Sequence, residues 1–173
     1  MKSVEQFTAT KLEELYRGNE FEPYPMVIPL SVHVDDRGSL FEVLHAHELP
    51  GYIEKRFGQV YMVKSPVRGT IRGFHRHDLL WDYFCVVHGR AKVVMVRPKE
   101  NEPLVADEVW STVLAAEKPS VVVIPPLVFH GWEALTDDTI LLSIGSEVYN
   151  PKTPDEERIP FDTFGDVWGI KPK

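Results

Sequence analysis

Residues 72 to 77 read Arg72-Gly73-Phe74-His75-Arg76-His77, and Asp82 and Gly89 follow them. Side chains alternate between the two faces of a β-strand, so His75 and His77 point to the same face if this stretch is extended. We therefore predict that two imidazoles converge on one interior. Written as a pattern, the segment is H-x-H, four residues, an acid, six residues and a glycine.

Short β-prone runs lie on both sides of this stretch, and turn residues separate them. Runs of this length and spacing, with almost no helical periodicity between them, predict an all-β fold built as an antiparallel sandwich or barrel. Asp36-Arg37-Gly38 and His88-Gly89-Arg90 are typical of hairpin turns, because glycine readily adopts a positive φ. The runs span residues 27–34, 39–44, 57–63, 69–74, 83–88, 91–97, 109–115, 121–124 and 139–144.

A third histidine, His130, follows the proline turn Pro125-Pro126 much later in the chain. The earlier spacing resembles the first motif of the cupin superfamily, in which glutamate usually stands where this chain has Asp82. The resemblance implies a cupin-type antiparallel β-barrel, or jelly roll, in which His130 faces the same cavity as His75 and His77. These three imidazoles and the carboxylate are ligands that suit Zn²⁺, Fe²⁺ or Mn²⁺.

A narrower resemblance covers roughly residues 34–162 and is to the dTDP-4-dehydrorhamnose 3,5-epimerase family, a branch of the cupins that normally uses no metal. It rests on several segments that occur in the right order. The segments are Asp36-Arg37-Gly38 with Glu42, Phe57-x-Gln59, Arg72-Gly73-Phe74-His75, Gly89 before Arg97-Pro98-Lys99, Ile124-Pro125 with Phe129-His130-Gly131, and Tyr149-Asn150-Pro151 before Glu157-Arg158. The resemblance implies an enzyme without a cofactor.

The resemblance also implies roles for individual side chains of this chain. His75 becomes the general base that removes a proton next to the 4-keto group of a nucleotide-linked deoxysugar. Histidine suits that task because its ordinary pKa lies close to neutral pH. The side chains implied to bind the substrate are Arg72 and His130 at the sugar, Arg37, Glu42 and Gln59 at the nucleotide or its phosphates, and Tyr149 at the base.

Two positions depart from the family. The family's lysine, which stabilises the enolate, aligns with Asp82, so a positive charge is replaced by a carboxylate. The family's tyrosine, which returns a proton on the opposite face, aligns with Ser143, a much poorer acid. Tyr61, Tyr83 and Tyr149 are candidates for a substitute acid, and the sequence selects none of them.

Three functions therefore stay open. The ordered segments favour an epimerase or isomerase of a 4-keto nucleotide sugar, and the set of three histidines and one aspartate favours a metal-binding cupin. Loss of the lysine and the tyrosine favours a non-catalytic protein that binds sugar nucleotides. The first two exclude each other at His75, because a histidine bound to a metal cannot act as a free base.

Charge and composition exclude several other classes. The net charge of −7 argues against a protein that follows the phosphates of a nucleic acid, which needs clustered lysine and arginine. No run is long enough to cross a bilayer, and the amino terminus lacks the apolar core of a signal peptide, so we expect a cytoplasmic protein. Cys85 lies in an apolar stretch and is predicted to be buried. The family resemblance implies a homodimer.

The predicted domain organisation is simple. Residues 1–25 are expected to form a short amphipathic helix and a linker, since Ser3 and Gln6 resemble a capping box and Gly18 is placed as a stop. Residues 26–173 are expected to form the barrel.

Overall fold

The computed structural model of the chain describes residues 2–4, 25–45 and 58–169. These residues form thirteen β-strands, joined by turns and irregular segments. In chain order the strands are β1 (Lys2–Ser3), β2 (Met26–Pro29), β3 (Val32–Asp35), β4 (Gly38–Phe41), β5 (Gln59–Ser65), β6 (Ile71–Arg76), β7 (Asp82–His88), β8 (Arg90–Lys99), β9 (Glu102–Ala115), β10 (Ser120–Ile124), β11 (Phe129–Ala134), β12 (Thr139–Gly145) and β13 (Glu157–Arg158).

Two sheets make up the body of the molecule. One has six strands in the order β1-β9-β8-β11-β6-β13, and the other has five in the order β2-β10-β7-β12-β5. Neighbouring strands are antiparallel, apart from the parallel pair of β1 and β9. Strands that follow each other in sequence therefore often lie in different sheets. This arrangement confirms the predicted all-β, cupin-type jelly roll.

The main core lies between the two sheets. Along β7, Phe84 and Val86 belong to this core, whereas Tyr83 and Cys85 belong to a second cluster on the other face of the strand. The period-2 alternation of a strand explains this division. Burial of Cys85 confirms the prediction for the thiol, and burial raises its pKa to about 11.

A third apolar cluster is formed where the carboxy-terminal segment packs on the six-stranded sheet. Trp168 packs there with Phe74, Val94 and Phe129. The buried Lys92 ammonium fixes the segment in place, because it donates to the backbone carbonyls of residues 167, 168 and 169 at 2.9, 2.8 and 2.9 Å. A cation surrounded by three carbonyl dipoles is a well-satisfied buried charge.

Both predicted hairpin turns are present. Asp36 and Arg37 connect β3 to β4, and Gly89 connects β7 to β8. Gly89 has a φ of +73°, and a Cβ there would lie 2.2 Å from the Thr136 hydroxyl oxygen. Only glycine fits this turn without displacing its neighbour.

The structure describes only part of the segment for which an amino-terminal helix and linker were predicted. Lys2–Ser3 pairs with β9, and the Lys2 ammonium forms an ion pair with Glu108. Most of the predicted helix and linker, residues 5–24, lies outside the described residues. In the described part of the chain, no helix combines the length and the apolar character needed to cross a lipid bilayer.

Candidate active site

Three histidines and one aspartate meet at one end of the space between the sheets. His75 lies on β6 and pairs directly with His130 on β11, while Asp82 opens β7 in the opposite sheet. The ring centroids of His75 and His130 are 4.2 Å apart, and that of His77 lies 5.4 Å from His75 and 5.8 Å from His130. The prediction that the three imidazoles converge inside the barrel is confirmed.

A register shift in β6 brings Arg72 to the same face as His75. His130 pairs with His75 and Trp132 pairs with Arg72, so a step of two residues along β11 is matched by a step of three residues along β6. Paired residues in antiparallel strands point the same way, and residues two apart on β11 share a face. A regular strand would have placed Arg72 and His75 on opposite faces. The bulge thus re-aims one side chain into the site.

The hydrogen bonds of the cluster fix which ring atoms face inward. Nδ1 of His130 donates to the Val128 carbonyl at 2.9 Å, and Nδ1 of His77 donates to the Asp155 carbonyl. In a neutral ring the proton is then on Nδ1, which leaves Nε2 with a lone pair. Nε2 of His130 and Nε2 of His77 lie 3.0 and 3.3 Å from Oδ2 of Asp82.

Asp82 is the electrostatic centre of the cluster. Its side chain is 2% exposed, and burial alone would raise its pKa, but contacts with His130 and His77 and the charges of these rings hold the pKa well below its usual range. Burial lowers the pKa of His77, yet the contact with Asp82 and the negative charge of Asp82 outweigh burial and raise the pKa overall. Asp82 is therefore an anion that favours a positively charged partner beside it.

His75 differs from the other two rings. Burial, followed by the nearby charge of His130, lowers the pKa of His75 to about 2. The ring is therefore neutral near pH 7, and it has a lone pair that can accept a proton. The Asp82 carboxylate opposes the downward shift, because its charge favours the imidazolium.

The four side chains fit a divalent metal ion. Each offers one ligand atom, and these atoms all lie within 4.8 Å of one another. The carbonyl bonds to Nδ1 of His77 and His130 are the outer-shell contacts that ligating histidines usually make. Oδ2 of Asp82 and Nε2 of His130, though only 3.0 Å apart, are both buried without a hydrogen bond of good geometry in the described structure. Such orphaned atoms are consistent with a cation between them.

Two cavities open next to the cluster, with volumes of about 440 and 410 Å³. The first extends along Arg72, Phe84 and Trp132, and the second along Gln59, His77 and Tyr149. Four side chains line both of them, so these residues stand at the junction of the cavities. They are Tyr61, His75, Glu156 and Arg158.

Several predicted substrate residues are brought to these cavities. Arg72 lines the first cavity, and its Nε donates to the Ser65 hydroxyl at 3.1 Å. Gln59 and Tyr149 line the second, where Oε1 of Gln59 accepts from the Tyr149 backbone amide at 3.2 Å. His130 is 1% exposed and lies behind His75, so it contacts the candidate base and not the open space.

Two predicted residues are not brought to the cavities within this chain. Arg37 lies at the tip of the hairpin of β3 and β4, where it forms an ion pair with Asp35. Glu42 follows that hairpin, and its carboxylate lies 3.0 Å from Nε2 of His45. Neither residue lines either cavity.

Other site residues were missed from the sequence. The Asp155 carboxylate accepts from the backbone amides of residues 78, 79 and 80 at 2.9, 3.1 and 3.0 Å, and so holds the connection between His77 and Asp82. Arg158 pairs with His75 across β13 and β6, and Glu156 lies two residues before it. The segment Glu157-Arg158 supports the resemblance, but only the strand pairing brings it beside His75.

Comparison with known proteins points to one family. The family model described as dTDP-4-dehydrorhamnose 3,5-epimerase matches residues 23–164. The spore coat polysaccharide biosynthesis protein SpsL of Bacillus subtilis is 32% identical over 145 residues, which cover 82% of this chain and 93% of SpsL. The probable low-salt glycan biosynthesis epimerase Agl13 of Haloferax volcanii is 31% identical over 135 residues, or 77% of this chain and 84% of Agl13.

Comparison with solved structures gives a consistent result. The rmlC epimerase of Mycobacterium tuberculosis superposes with a TM-score of 0.71 at 27% identity, and the match covers 87% of this chain and 79% of that protein. The family match spans every described strand except β1, and it includes every side chain of the histidine–aspartate cluster. The chain therefore belongs to the dTDP-4-dehydrorhamnose 3,5-epimerase family.

Proposed function

We propose that the chain is an epimerase or isomerase of a 4-keto nucleotide-linked deoxysugar, and that His75 removes the proton from the carbon next to the ketone. One observation carries the proposal: His75 lies at the junction of the two cavities, where its imidazole can reach a bound sugar. A general base must lie within reach of the proton that it removes, and this position meets that requirement.

The surroundings of His75 suit the charges that develop in such a reaction. When the ring accepts the proton it becomes an imidazolium, and a ligand oxygen of Asp82 lies within 4.8 Å to stabilise it. The electrons of the broken C–H bond move to the ketone oxygen and form an enolate. Arg72 and Arg158 line the cavity beside His75, so one of them takes over the stabilisation that the family's lysine provides.

The nucleotide part of the substrate needs a different environment. We place it in the second cavity, where the exposed ring of Tyr149 and the amide of Gln59 line the wall. A base can stack on an exposed aromatic ring, and an amide can pair with its edge. Removal and return of a proton change no oxidation state overall, so this reaction needs no redox cofactor.

Deuterium exchange from solvent tests the proposal directly. In D₂O, the protein should incorporate deuterium next to the ketone of at least one 4-keto nucleotide sugar from a panel of dTDP-, UDP- and GDP-linked compounds. His75→Asn should slow the exchange by about 10² to 10⁴-fold. His88→Asn is the matched control, because His88 is exposed at the far end of β7, six residues from Asp82. Absence of exchange with every sugar would contradict the proposal.

A metal-binding cupin is the second candidate, and the orphaned atoms of Asp82 and His130 favour it. His75, His77, Asp82 and His130 would hold the ion, which would act as a Lewis acid on a substrate carbonyl. Elemental analysis of protein purified without a metal-affinity tag decides between the two. About one Zn, Fe or Mn per chain, lost in Asp82→Asn, would support the metal and rule out His75 as a free base. Metal-free protein that catalyses exchange would support the base.

The same assays distinguish the third possibility, a non-catalytic binder. Such a protein would bind dTDP in calorimetry but would leave every 4-keto sugar unexchanged. The loss of both the lysine and the tyrosine of the family motivates this reading, and a positive exchange result removes it.

A further inference from the structure

The position that corresponds to the family's tyrosine lies next to a tyrosine of a neighbouring strand. Ser143 on β12 is buried, and it pairs directly with Tyr61 on β5. Directly opposed residues in antiparallel strands have Cβ atoms about 4.5–5.5 Å apart and point to the same face. The phenol of Tyr61 on β5 therefore lies on the same face of the sheet as the side chain of a tyrosine at position 143 on β12 would.

The orientation of β5 turns Tyr61 toward the cavities. Gln59, Tyr61 and Val63 alternate with outward-facing neighbours, and all three line a cavity. Tyr61 is 43% exposed as a whole residue, although its hydroxyl is partly buried. Burial of the hydroxyl and the charge of Asp82 raise the pKa of Tyr61, which keeps the phenol protonated near neutral pH.

Tyr61 and His75 belong to opposite sheets. His75 lies on β6 of the six-stranded sheet, and Tyr61 lies on β5 at the edge of the five-stranded sheet, yet both line both cavities. A ring bound between the sheets would expose one face to each of them. Inversion at a carbon requires removal of a proton from one face and delivery of a proton to the other.

The other two candidate tyrosines do not meet this requirement. Tyr83 is 1% exposed and belongs to the cluster on the outer face of the five-stranded sheet, away from the cavities. Tyr149 lines only the second cavity and follows the end of β12. Among the tyrosines that the structure describes, Tyr61 alone shares both cavities with His75.

We propose that Tyr61 is the acid that delivers a proton to the sugar on the face opposite His75, in place of a tyrosine at position 143. This inference rests on the proposed function. His75 takes the proton from carbon, and the C–H electrons form the enolate. The Tyr61 O–H bond then breaks, its proton joins the same carbon from the other side, and the enolate returns to the ketone. Water reprotonates the phenolate and removes the proton from His75.

An assay in D₂O with two readouts tests the inference. Mass spectrometry follows deuterium next to the ketone, and NMR follows the configuration of the same carbon. In Tyr61→Phe, His75 still removes a proton and solvent deuterium returns on the same face, so exchange should persist. Formation of the epimer should fall by about 10² to 10⁴-fold. Tyr83→Phe is the matched control, since it removes a phenol hydroxyl from the other side of the sheet and should retain both activities.

The outcomes separate the two proposals. Wild-type protein that shows no exchange with any sugar would overturn the proposed function and this inference together. If wild-type protein exchanges and epimerises, then full epimer formation by Tyr61→Phe would overturn the inference alone. Loss of both readouts in Tyr61→Phe with an unchanged circular dichroism spectrum would also overturn it. An acid that only delivers the proton to the enolate is not needed when His75 removes the proton from carbon.

Discussion

Asp155 binds three consecutive backbone amides next to the histidine–aspartate cluster. Its carboxylate accepts from residues 78, 79 and 80, and its carbonyl accepts from Nδ1 of His77. Removal of the Asp155 carboxylate leaves three amide donors without this partner, although the side chains of the histidine–aspartate cluster are unchanged. Asp155 is therefore a positioning residue for the segment that carries His77 toward Asp82.

We predict that Asp155→Ala lowers the free energy of unfolding by about 1–3 kcal/mol, the cost of leaving donors unsatisfied. Urea denaturation followed by tryptophan fluorescence measures this change. Asp162→Ala is the control, because Asp162 is also a carboxylate in the carboxy-terminal region but is exposed. Equal stabilities of the two variants would show that the three amides are satisfied without Asp155.

Cys85 gives a prediction for alkaline pH. Its folded pKa of about 11 lies above its ordinary value of 9.0 because the thiol is buried. A group whose pKa is raised by folding contributes stability fully below the unfolded pKa, and the contribution disappears as the pH rises toward the folded value. The wild-type protein should therefore lose more stability than Cys85→Ala between pH 9 and pH 11 in urea titrations. Parallel losses in the two proteins would contradict a buried thiol.

Residue types were easier to predict than residue roles. The spacing of His75 and His77 was sufficient to predict that they share a face, since alternation along a strand is local, whereas the position of Asp82 on the opposite sheet depends on the fold. The sequence could not choose Tyr61 over Tyr83 and Tyr149 as the acid, because the proposed role depends on a pairing between residues 61 and 143 that only the folded sheet establishes. Asp155 was missed for the same reason.

At the scale of elements, β6 and β11 approach unusually closely. A Cβ at Gly131 would lie 2.6 Å from the Arg72 carbonyl oxygen and 2.8 Å from the Gly73 Cα. A Cβ at Gly73 would in turn lie 2.8 Å from the Gly131 Cα. Both glycines lie beside the bulge that aims Arg72 and His75 into the same cavity. Because Gly73 and Gly131 have no side chains, β6 and β11 can approach closely enough to form the bulge.

We predict that Gly131→Ala forces β6 and β11 apart and costs about 1–3 kcal/mol of stability, as overpacking usually does. Thermal unfolding measures the loss, and a fall in exchange activity at a temperature where the variant is folded would report displacement of His75. Gly145→Ala is the comparison, since the nearest atom to its new Cβ is a flexible leucine carbon at 3.3 Å. Similar effects of both substitutions would argue against a special contact at Gly131.

Strand boundaries were predicted well where a run of residues is continuously apolar. The predicted run 83–88 corresponds to β7, Asp82–His88, and 121–124 corresponds to β10, Ser120–Ile124. β9 begins at Glu102, well before the predicted residue 109, because its first residues are mostly exposed and are held in the strand by pairing with β8. β11 was missed because its glycine and nearby prolines resemble a turn.

At the scale of the whole molecule, Arg37 and Glu42 lie away from the two cavities of their own chain. The hairpin that carries Arg37 projects apolar side chains into solvent, with Val34 76% and Leu40 60% exposed. Met62, on the outer face of edge strand β5, is 69% exposed. We propose that two copies associate and that the hairpin of one copy supplies Arg37 to the cavities of the other.

Mixing two inactive variants tests this arrangement. Arg37→Ala and His75→Asn should each be inactive alone, and light scattering should give the mass of two chains. After exchange of subunits, half of the dimers contain one intact site of two, so the mixture should recover about a quarter of wild-type activity. A mass of one chain, or a mixture no more active than its components, would contradict the shared site.

The placement of Tyr61 and His75 on different sheets has a consequence for stereochemistry. The gap between them is fixed by the core, where Phe84 and Leu141 of one sheet meet Trp132 of the other. These three side chains also line the first cavity, which Tyr61 and His75 share. Leu141→Ala would enlarge this space and leave both Tyr61 and His75 in place. We expect it to change the share of bound substrate that is released as the epimer, while the rate of substrate binding changes little.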